Sequence, residues 1–301
     1  MSCFERLALR ESPVIVQQHM PMDKYTTLRV GGPADYFAEP SSEEELSALL
    51  NAAKEAGVPV LLMGNGSNLL VRDGGFRGLA IRLGKAFSHI EPWEHGLKAQ
   101  AGALLSVLAC EAANASLTGL EFAQGIPGTV GGGVYMNAGA YGGELGKRIK
   151  SVTVLERGEV KRIPGSEMKF GYRHSRAMDE KWIVLGAYFR LEKGDKEQID
   201  AAMRDFAARR KDKQPLNYPS AGSFFKRPEG HFAGALIEQA GLKGKQVGGA
   251  RVSEKHAGFL INAGGATASD FLVLMKLVQE TVRKESGVLL EPEVRIVGDD
   301  P

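Results

Sequence analysis

The first part of the chain alternates between the hydrophobic periods of a strand and of a helix. Ala34–Pro40 has apolar and polar side chains in alternation, which predicts a β-strand. Ser41 and Glu44 have the spacing of a capping box, and Gly57 predicts the end of the helix that follows. Val58–Met63 is then a short buried strand, which completes a strand–helix–strand unit. The apolar positions of the helix recur three and four residues apart, at Leu46, Leu49, Leu50 and Ala53.

The middle of the chain consists of short apolar runs that turn residues separate. Leu104–Ala115 has the length and composition of a helix. We predict short strands at Leu79–Leu83 and Leu97–Ala101. The later runs predict antiparallel strands joined by turns, at Val152–Leu155, Gly158–Ile163 and Ile183–Leu191.

The composition becomes polar and charged around Glu192–Lys196, where we predict a domain boundary. A helix follows at Lys196–Lys213, with Ile199 and Met203 on one face. Thr267 and Asp270 form a capping box for a long helix that ends near Ser286. The other predicted elements of this part are a helix at His231–Ala240, a strand at Gly258–Asn262 and a last strand at Val288–Val297.

Composition and charge narrow the functional classes. The 301 residues are 43% hydrophobic and 25% charged, as in folded globular proteins. The net charge of only +2 gives no electrostatic footprint for nucleic-acid binding. Cys3 and Cys110 are too few for a disulfide framework and match no zinc spacing, and the six histidines form no helical metal pair. With neither a signal peptide nor a membrane span, we expect a cytoplasmic protein that binds no metal.

Glycine is unusually abundant, with 38 residues that cluster in two tracts. The first tract, Gly64–Leu70, follows a predicted strand, so its successive N–H groups can form a nest for phosphate. Taken alone, the tract is better explained as an ordinary strand-to-loop turn. Ile126–Gly142 is the second tract, and two loops rich in Gly, Ser, Thr and Asn fit a ligand with two phosphates and a long body. Leu69 occupies the third glycine position of a Rossmann fingerprint, and no P-loop is present.

Six sequence strings together resemble the MurB family of UDP-N-acetylenolpyruvoylglucosamine reductases over nearly the whole chain. The two glycine tracts also resemble the FAD-binding domain of the vanillyl-alcohol-oxidase (PCMH) type. The six strings are residues 26–32 (TTLRVGG), 64–70 (GNGSNLL), 126–142 (IPGTVGGGVYMNAGAYG), 171–175 (GYRHS), 221–226 (AGSFFK) and 290–295 (LEPEVR).

This resemblance implies an α+β protein with an FAD-binding domain in two subdomains, 1–86 and 87–192, and an α+β substrate domain at 193–301. It implies an enzyme that uses NADPH and FAD to reduce UDP-N-acetylglucosamine enolpyruvate to UDP-N-acetylmuramate, a peptidoglycan precursor. Neither glycine tract contains His or Cys, so the FAD is expected to be non-covalent. A monomer is expected, with no nucleic-acid or membrane partner.

The resemblance also assigns three catalytic residues. Arg173 faces the enolpyruvyl carboxylate, where a guanidinium fork neutralises the charge that develops. Ser223 donates a proton to the substrate, and Glu293 polarises the substrate or relays protons. Strand alternation places Glu293 and Arg295 on one face of the last strand. The solvent-exposed outer face of an antiparallel sheet would show the same pattern. Local sequence alone favours a simple turn at Ser223, and its alternative for Arg173 is a surface arginine in a turn; the resemblance reverses that preference.

The expected FAD-binding residues lie in the two glycine tracts and on the last strand: Gly64, Asn65, Gly66, Ser67, Asn68, Leu69, Ile126, Pro127, Gly128, Thr129, Gly131, Gly132, Asn137, Ala138, Gly139, Ala140 and Arg295. Candidate substrate contacts are Tyr172, Phe225 and Lys226.

Only about ten residues separate Ser175 from the strand at Ile183, which leaves little room for an inserted loop. We therefore assign the chain to the shorter subclass of the family, which lacks a tyrosine-bearing loop over the substrate. Two alternatives are an FAD-dependent sugar or alcohol oxidase and a non-catalytic nucleotide-binding regulator. The oxidase lacks support from the combination of Arg173, Ser223 and Glu293.

Overall fold

The computed structural model describes residues 14–300, so Cys3 lies outside the described residues. Packing divides this part of the chain into two units. Unit 1 contains residues 14–16, Ala38–Asn65 and Ala80–Arg209, and unit 2 contains Gln17–Phe37, Gly66–Leu79 and residues 210–300. Each unit is therefore built from separate stretches of sequence.

Residues 14–300 contain seven α-helices and nineteen strands. The helices are α1 (Glu43–Ala56), α2 (Leu105–Asn114), α3 (Val130–Tyr135), α4 (Arg176–Asp179), α5 (Lys196–Lys213), α6 (Ala233–Gln239) and α7 (Ala268–Ser286). The strands are β1 (Val16–Pro21), β2 (Pro33–Ala38), β3 (Val60–Met63), β4 (Leu69–Val71), β5 (Phe76–Arg82), β6 (Ile90–Trp93), β7 (Gly96–Gln100), β8 (Leu117–Thr118), β9 (Gly139–Ala140), β10 (Gly143–Glu144), β11 (Ile149–Glu156), β12 (Glu159–Pro164), β13 (Ile183–Arg190), β14 (Glu192–Lys193), β15 (Ser220–Ser223), β16 (Gln246–Val247), β17 (Ala250–Val252), β18 (Phe259–Asn262) and β19 (Arg295–Val297).

Unit 1 is organised around a five-stranded sheet with the order β12–β11–β13–β7–β6, in which every neighbouring pair is antiparallel. Val152 pairs with Ala187 across β11 and β13, and both side chains are buried in the core. Helices α2 and α3 contribute Leu105 and Val130 to the same core. Because side chains alternate along a strand, Ser151 and Tyr188 lie on the opposite face. The three antiparallel strands predicted from the sequence are thus confirmed.

Unit 2 is organised around an antiparallel sheet with the order β15–β18–β17–β16 and the long helix α7. The predicted capping box of α7 is confirmed: the Thr267 hydroxyl accepts from the Asp270 N–H, and the Asp270 carboxylate accepts from the Thr267 N–H. Asp73 adds a second cap, because its carboxylate accepts from the N–H groups of Ala268 and Ser269, both at 2.8 Å.

The start of α1 differs from its prediction by one residue. Ser42 is the N-cap, and its hydroxyl accepts from the Glu45 N–H at 3.2 Å, whereas Ser41 and Glu44 were the expected pair. The Glu45 carboxylate accepts from the N–H and hydroxyl of Ser41. The residues that cap the helix therefore lie one position later in the chain than predicted. The predicted stop at Gly57 is confirmed by its left-handed conformation, with φ of 65°.

The last predicted strand is the main correction to the fold. Only Arg295–Val297 forms a strand, instead of Val288–Val297, and it runs parallel to β4. Pro292 has no N–H for a ladder and makes an isolated bridge to Phe225 instead. The backbone before Arg295 therefore pairs with a different segment, and β19 is confined to three residues.

The three predicted modules were defined by the expected binding of FAD and substrate, whereas unit 1 and unit 2 are defined by packing. The module boundaries therefore stay a prediction.

Candidate functional site

In unit 1, the start of the first glycine tract contacts the start of the second. The side-chain amide of Asn65 donates to the carbonyl of Pro127 at 2.7 Å. A Cβ atom on Gly64 would lie 2.2 Å from Oγ1 of Thr129, so only glycine permits this approach. Thr129 in turn forms a bridge to Leu104 at the start of α2. The two loops are thus fixed against each other by contacts that a larger residue would break.

The glycines of the second tract have different roles. A Cβ on Gly131 would lie 2.9 Å from Cβ of Ala101, and one on Gly133 would lie 2.7 Å from Leu145. These two glycines allow α3 to pack closely in the core. Gly132 is exposed, and the nearest atom to its virtual Cβ is 3.8 Å away. Gly132 therefore presents bare backbone to open space, where a ligand can approach closely.

In unit 2, the rest of the first tract has free backbone donors. Gly66 has φ of 61°, and a Cβ there would lie 2.0 Å from the carbonyl of Tyr25. The Gly66 carbonyl accepts from the N–H of Thr27 at 3.2 Å, which fixes the turn. Within residues 14–300, no acceptor is hydrogen-bonded to the N–H groups of Gly66, Ser67 or Asn68. Three successive unused N–H groups are the donors that a phosphate nest requires.

The same turn is attached to the C-terminal segment. The side-chain amide of Asn68 donates to the Glu293 carbonyl at 3.1 Å, and the Asn68 carbonyl accepts from the Arg295 N–H at 3.1 Å. Leu69 then pairs with Arg295 in the parallel ladder. The expected flavin-binding residue Arg295 therefore lies directly beside the first glycine tract.

Ser223 and Glu293 are also brought together in unit 2. The Glu293 N–H donates to the carbonyl of Phe224 at 2.9 Å, so the residue after Ser223 is held against Glu293. Ser223 is exposed at the end of β15, and Glu293 is half-buried. A serine hydroxyl and a carboxylate, 70 positions apart in sequence, thus stand on paired backbone segments beside Asn68.

Arg173 belongs to unit 1, in a tight turn closed by paired hydrogen bonds between Gly171 and His174. Arg173 has φ of 54°, a left-handed conformation that is uncommon for a non-glycine residue. Asn137, which is 2% exposed, supports the turn by donating to the Gly171 carbonyl at 2.9 Å. The side-chain amide oxygen of Asn137 accepts from the Gly146 N–H at 2.8 Å. Asn137 was predicted to bind FAD, yet its side-chain amide is already used to hold the turn that carries Arg173.

The turn is also supported by an ion pair at its end. Nε2 of His174 lies 2.9 Å from a carboxylate oxygen of Asp179. This hydrogen bond raises the pKa of His174 above its ordinary value, and partial burial opposes the shift. The pair tethers the turn to α4.

The three candidate substrate contacts have different environments. Tyr172 is 55% exposed, and the Arg173 guanidinium lies 5.1 Å from its ring centroid. Nζ of Lys226 lies 3.1 Å from a carboxylate oxygen of Glu291. Phe225 is only 2% exposed and packs against Phe224 in the core of unit 2. Its ring is therefore committed to the core, which argues against the predicted substrate contact.

Residues 14–300 contain neither a metal-binding cluster nor a helix able to span a membrane. No group of three or more His, Cys, Asp or Glu side chains there has the geometry to hold a metal ion. None of the helices in that range combines the length and the apolar character needed to cross a bilayer. Cys110 is an exposed free thiol.

Comparison with known proteins assigns the chain to a family. An FAD binding domain model matches residues 34–163, and the model for the C-terminal domain of UDP-N-acetylenolpyruvoylglucosamine reductase matches residues 214–297. The reductase of Agathobacter rectalis is 53% identical, covering 94% of each chain, and that of Lactobacillus johnsonii is 49% identical, covering 97% of this chain and 98% of its own. The crystal structure of MurB from Thermus caldophilus has a TM-score of 0.81 at 38% identity, covering 94% of this chain and 98% of its own.

The chain belongs to the UDP-N-acetylenolpyruvoylglucosamine reductase (MurB) family. The predicted α+β class, with an FAD-binding domain and a separate C-terminal domain, is confirmed. Both glycine tracts fall in the FAD-domain match, and Ser223, Glu293 and Arg295 fall in the C-terminal match. Arg173 lies between the two matches.

The geometry of each unit fits the cofactor that this family membership implies. Unit 2 supplies the unused N–H groups of residues 66–68, and unit 1 supplies the exposed backbone of Gly132. Both are features that a dinucleotide with a pyrophosphate uses. The side chains of Asn65 and Asn68, in contrast, already donate to protein carbonyls. Any contact that these two residues make with FAD would use their backbone, the remaining amide hydrogen or the side-chain carbonyl oxygen.

Replacing Gly64 by Ala should weaken FAD binding. The new methyl group would overlap Thr129 Oγ1 and force the two loops apart. Overpacking of this kind costs about 1–3 kcal/mol, which corresponds to an increase of about 5- to 150-fold in the Kd for FAD. Fluorescence titration of the apoprotein with FAD measures this. The double variant Gly64→Ala/Thr129→Ala removes the clashing atoms and should bind FAD more tightly than Gly64→Ala alone; equal or weaker binding by the double variant would contradict the steric explanation.

Replacing Asp179 by Asn should lower the pKa of His174 towards its ordinary value of about 6.5, because the charged acceptor is removed. Since folding raises this pKa, the pair stabilises the fold fully below about pH 6.5 and loses its effect as the pH rises through the raised value. NMR titration of the histidine ring protons measures the shift. Asp212→Asn, on the exposed side of α5, is the control. An unchanged His174 titration in Asp179→Asn would show that the ion pair does not form.

Proposed function

We propose that this chain is a cytoplasmic, monomeric, FAD-dependent reductase that uses NADPH to convert UDP-N-acetylglucosamine enolpyruvate into UDP-N-acetylmuramate. The observation that carries the proposal is the pairing of the Ser223 and Glu293 segments beside the first glycine tract. Relatives of 47–53% identity over almost the whole chain are UDP-N-acetylenolpyruvoylglucosamine reductases. They support the reductase over the sugar or alcohol oxidase and the non-catalytic regulator.

Residues 66–68 would hold the FAD pyrophosphate through their N–H groups, and Gly132 would let the cofactor approach the backbone. The other members of the two tracts would line the same cofactor, and Arg295 would lie near the flavin pyrimidine ring. When bound, FAD would supply the hydride-transfer chemistry that links NADPH to the β-carbon of the enolpyruvyl group. Positive charge at Arg295 would favour the anionic reduced cofactor.

Hydride addition to the β-carbon leaves negative charge on the enolpyruvyl carboxylate and the α-carbon. Arg173 would bind that carboxylate through two parallel N–H donors, and the charge would be neutralised as it develops. The strained, hydrogen-bonded turn at residues 171–174 supports this role, because it restricts where the guanidinium can go. Tyr172, on the exposed side of the same turn, would contact the substrate next to Arg173.

Ser223 would complete the reduction by giving its hydroxyl proton to the α-carbon. A serine hydroxyl is a weak acid, so the step requires a strongly basic carbanion and rapid return of a proton from water. Glu293 stands on the paired segment and would polarise the substrate or relay that proton. Lys226, held by Glu291, would supply positive charge three residues beyond the donor.

Replacing Ser223 by Ala should separate the two half-reactions. FAD content and flavin reduction by NADPH should stay close to those of the wild type, because neither step needs the hydroxyl. Reoxidation of the reduced flavin by the enolpyruvyl substrate should slow by about 10²–10⁴-fold, which is the rate enhancement that a positioned proton donor typically provides. Anaerobic stopped-flow absorbance measures both steps. Ser106→Ala on α2 is the matched control, and a Ser223→Ala enzyme that forms product at the wild-type rate would refute the assignment.

A further inference from the structure

Unit 1 has a concave region on the sheet face that the proposed reaction does not use. This basic groove has a volume of about 690 Å³. Five cationic side chains and one carboxylate line it: Lys147, Arg148, Lys150, Arg162, Arg190 and Glu192. The whole chain has a net charge of only +2, so positive charge is strongly concentrated here.

A β-bulge explains why so many cations face one groove. Ile149 pairs with Phe189 and Ser151 pairs with Tyr188, so Lys150 has no opposite residue on β13. A bulge re-aims side chains and raises the local twist of the strand. Arg190 is held close by a backbone hydrogen bond of 2.7 Å from its N–H to the carbonyl of Arg148. The bulged start of β11 and the end of β13 therefore present their cations together.

Arg162 is fixed in place before any ligand binds. Its Nε donates to the hydroxyl of Ser151 at 2.8 Å, and Ser151 is 6% exposed. The guanidinium carbon lies 3.6 Å from the centroid of the Tyr188 ring, which is the geometry of a cation–π contact. With Nε used, the two terminal nitrogens of Arg162 remain as a fork for an anion. A guanidinium that is already oriented loses little entropy on binding.

The other cations lack the partners that surface charges usually have. Within residues 14–300, no carboxylate forms an ion pair with Arg148, Lys150 or Arg190, and Lys147 has only Glu144, at 3.3 Å. Mutual repulsion of these cations is a cost that a bound anion would remove. The groove is therefore suited to an anionic ligand, because residues 14–300 supply too few carboxylates to neutralise its cations.

The groove is separate from the glycine tracts of unit 1. Val130 of α3 packs in the core with Val152 and Ala187, on one face of the sheet. Ser151 and Tyr188, which orient Arg162, alternate with those residues and lie on the other face. A ligand in the basic groove would thus be divided from the second glycine tract by the thickness of the sheet.

We propose that the basic groove binds a small ligand with two or more linked phosphate groups, such as a nucleoside diphosphate. Its volume lies in the range of small-molecule sites, about 300–1,000 Å³. Three arginines provide planar forks that match phosphate oxygens, and two lysines add point charges. A nucleic acid would need a basic surface that extends well beyond one groove, and the net charge of +2 is small for that purpose.

The test is isothermal titration calorimetry of the FAD-loaded protein with inorganic pyrophosphate and with ADP, both without divalent metal. In the double variant Arg148→Gln/Lys150→Gln, affinity for pyrophosphate should fall at least tenfold. The matched control Lys276→Gln/Arg283→Gln removes one lysine and one arginine from the exposed side of α7 and should stay within twofold of the wild type. Tighter binding of ADP than of pyrophosphate, lost in the groove variant, would identify a nucleotide as the ligand; equal binding would identify free phosphates.

Three results would overturn the proposal. Pyrophosphate that binds the groove variant as tightly as the wild type must occupy another site, such as that of the nucleotide-sugar substrate. No detectable heat with either probe at millimolar concentration would show that the groove binds no phosphates. A single-stranded RNA oligonucleotide that binds through Arg148 and Lys150 much more tightly than pyrophosphate would indicate a macromolecular partner instead. Because this test uses no turnover, failure of the proposed reductase reaction would leave its outcome unaffected.

Discussion

The parallel pairing of β4 with β19 is the interaction on which the proposed chemistry of unit 2 depends. It joins Leu69–Val71 to Arg295–Val297, segments more than 200 residues apart, and Asn68 extends the connection to Glu293. Loop closure over such a separation has an entropic cost, which the buried side chains of Leu70 and Val294 help to offset. This ladder brings the free N–H groups of residues 66–68 next to the backbone of Glu293, and the hydrogen bond from the Glu293 N–H to the Phe224 carbonyl adds the Ser223 strand.

Unit 1 depends on a different constraint, the absence of side chains. Gly64 lets its loop approach Thr129 closely. The side chain of Asn137 then joins the second glycine tract to the Arg173 turn through hydrogen bonds with Glu144, Gly146 and Gly171. The amide group of Asn137 is buried, so removing it would leave the Gly146 N–H without a partner and the Gly171 carbonyl with only the His174 N–H. Hydrogen bonds of Asn137 therefore connect the second glycine tract with the turn that carries Arg173.

Features set by local sequence were predictable, and features set by distant partners were not. The capping box of Thr267 and Asp270 and the extent of α5 follow from residues a few positions apart. The last strand was predicted too long, because only its distant partners show that Pro292 pairs with Phe225 while Arg295 pairs with Leu69. Glycine abundance indicated the cofactor tracts, but not which glycines serve packing. The basic groove gave no signal in a net charge of +2, since its cations converge only through a bulge.

Anaerobic titration of the purified holoenzyme tests the central claim most directly. NADPH should bleach the flavin absorbance with a stoichiometry of about one per FAD, as expected for a two-electron transfer. Addition of UDP-N-acetylglucosamine enolpyruvate should then restore the oxidised spectrum without oxygen and yield UDP-N-acetylmuramate. A reduced flavin that the enolpyruvyl nucleotide leaves unchanged, and that oxygen alone reoxidises, would contradict the account.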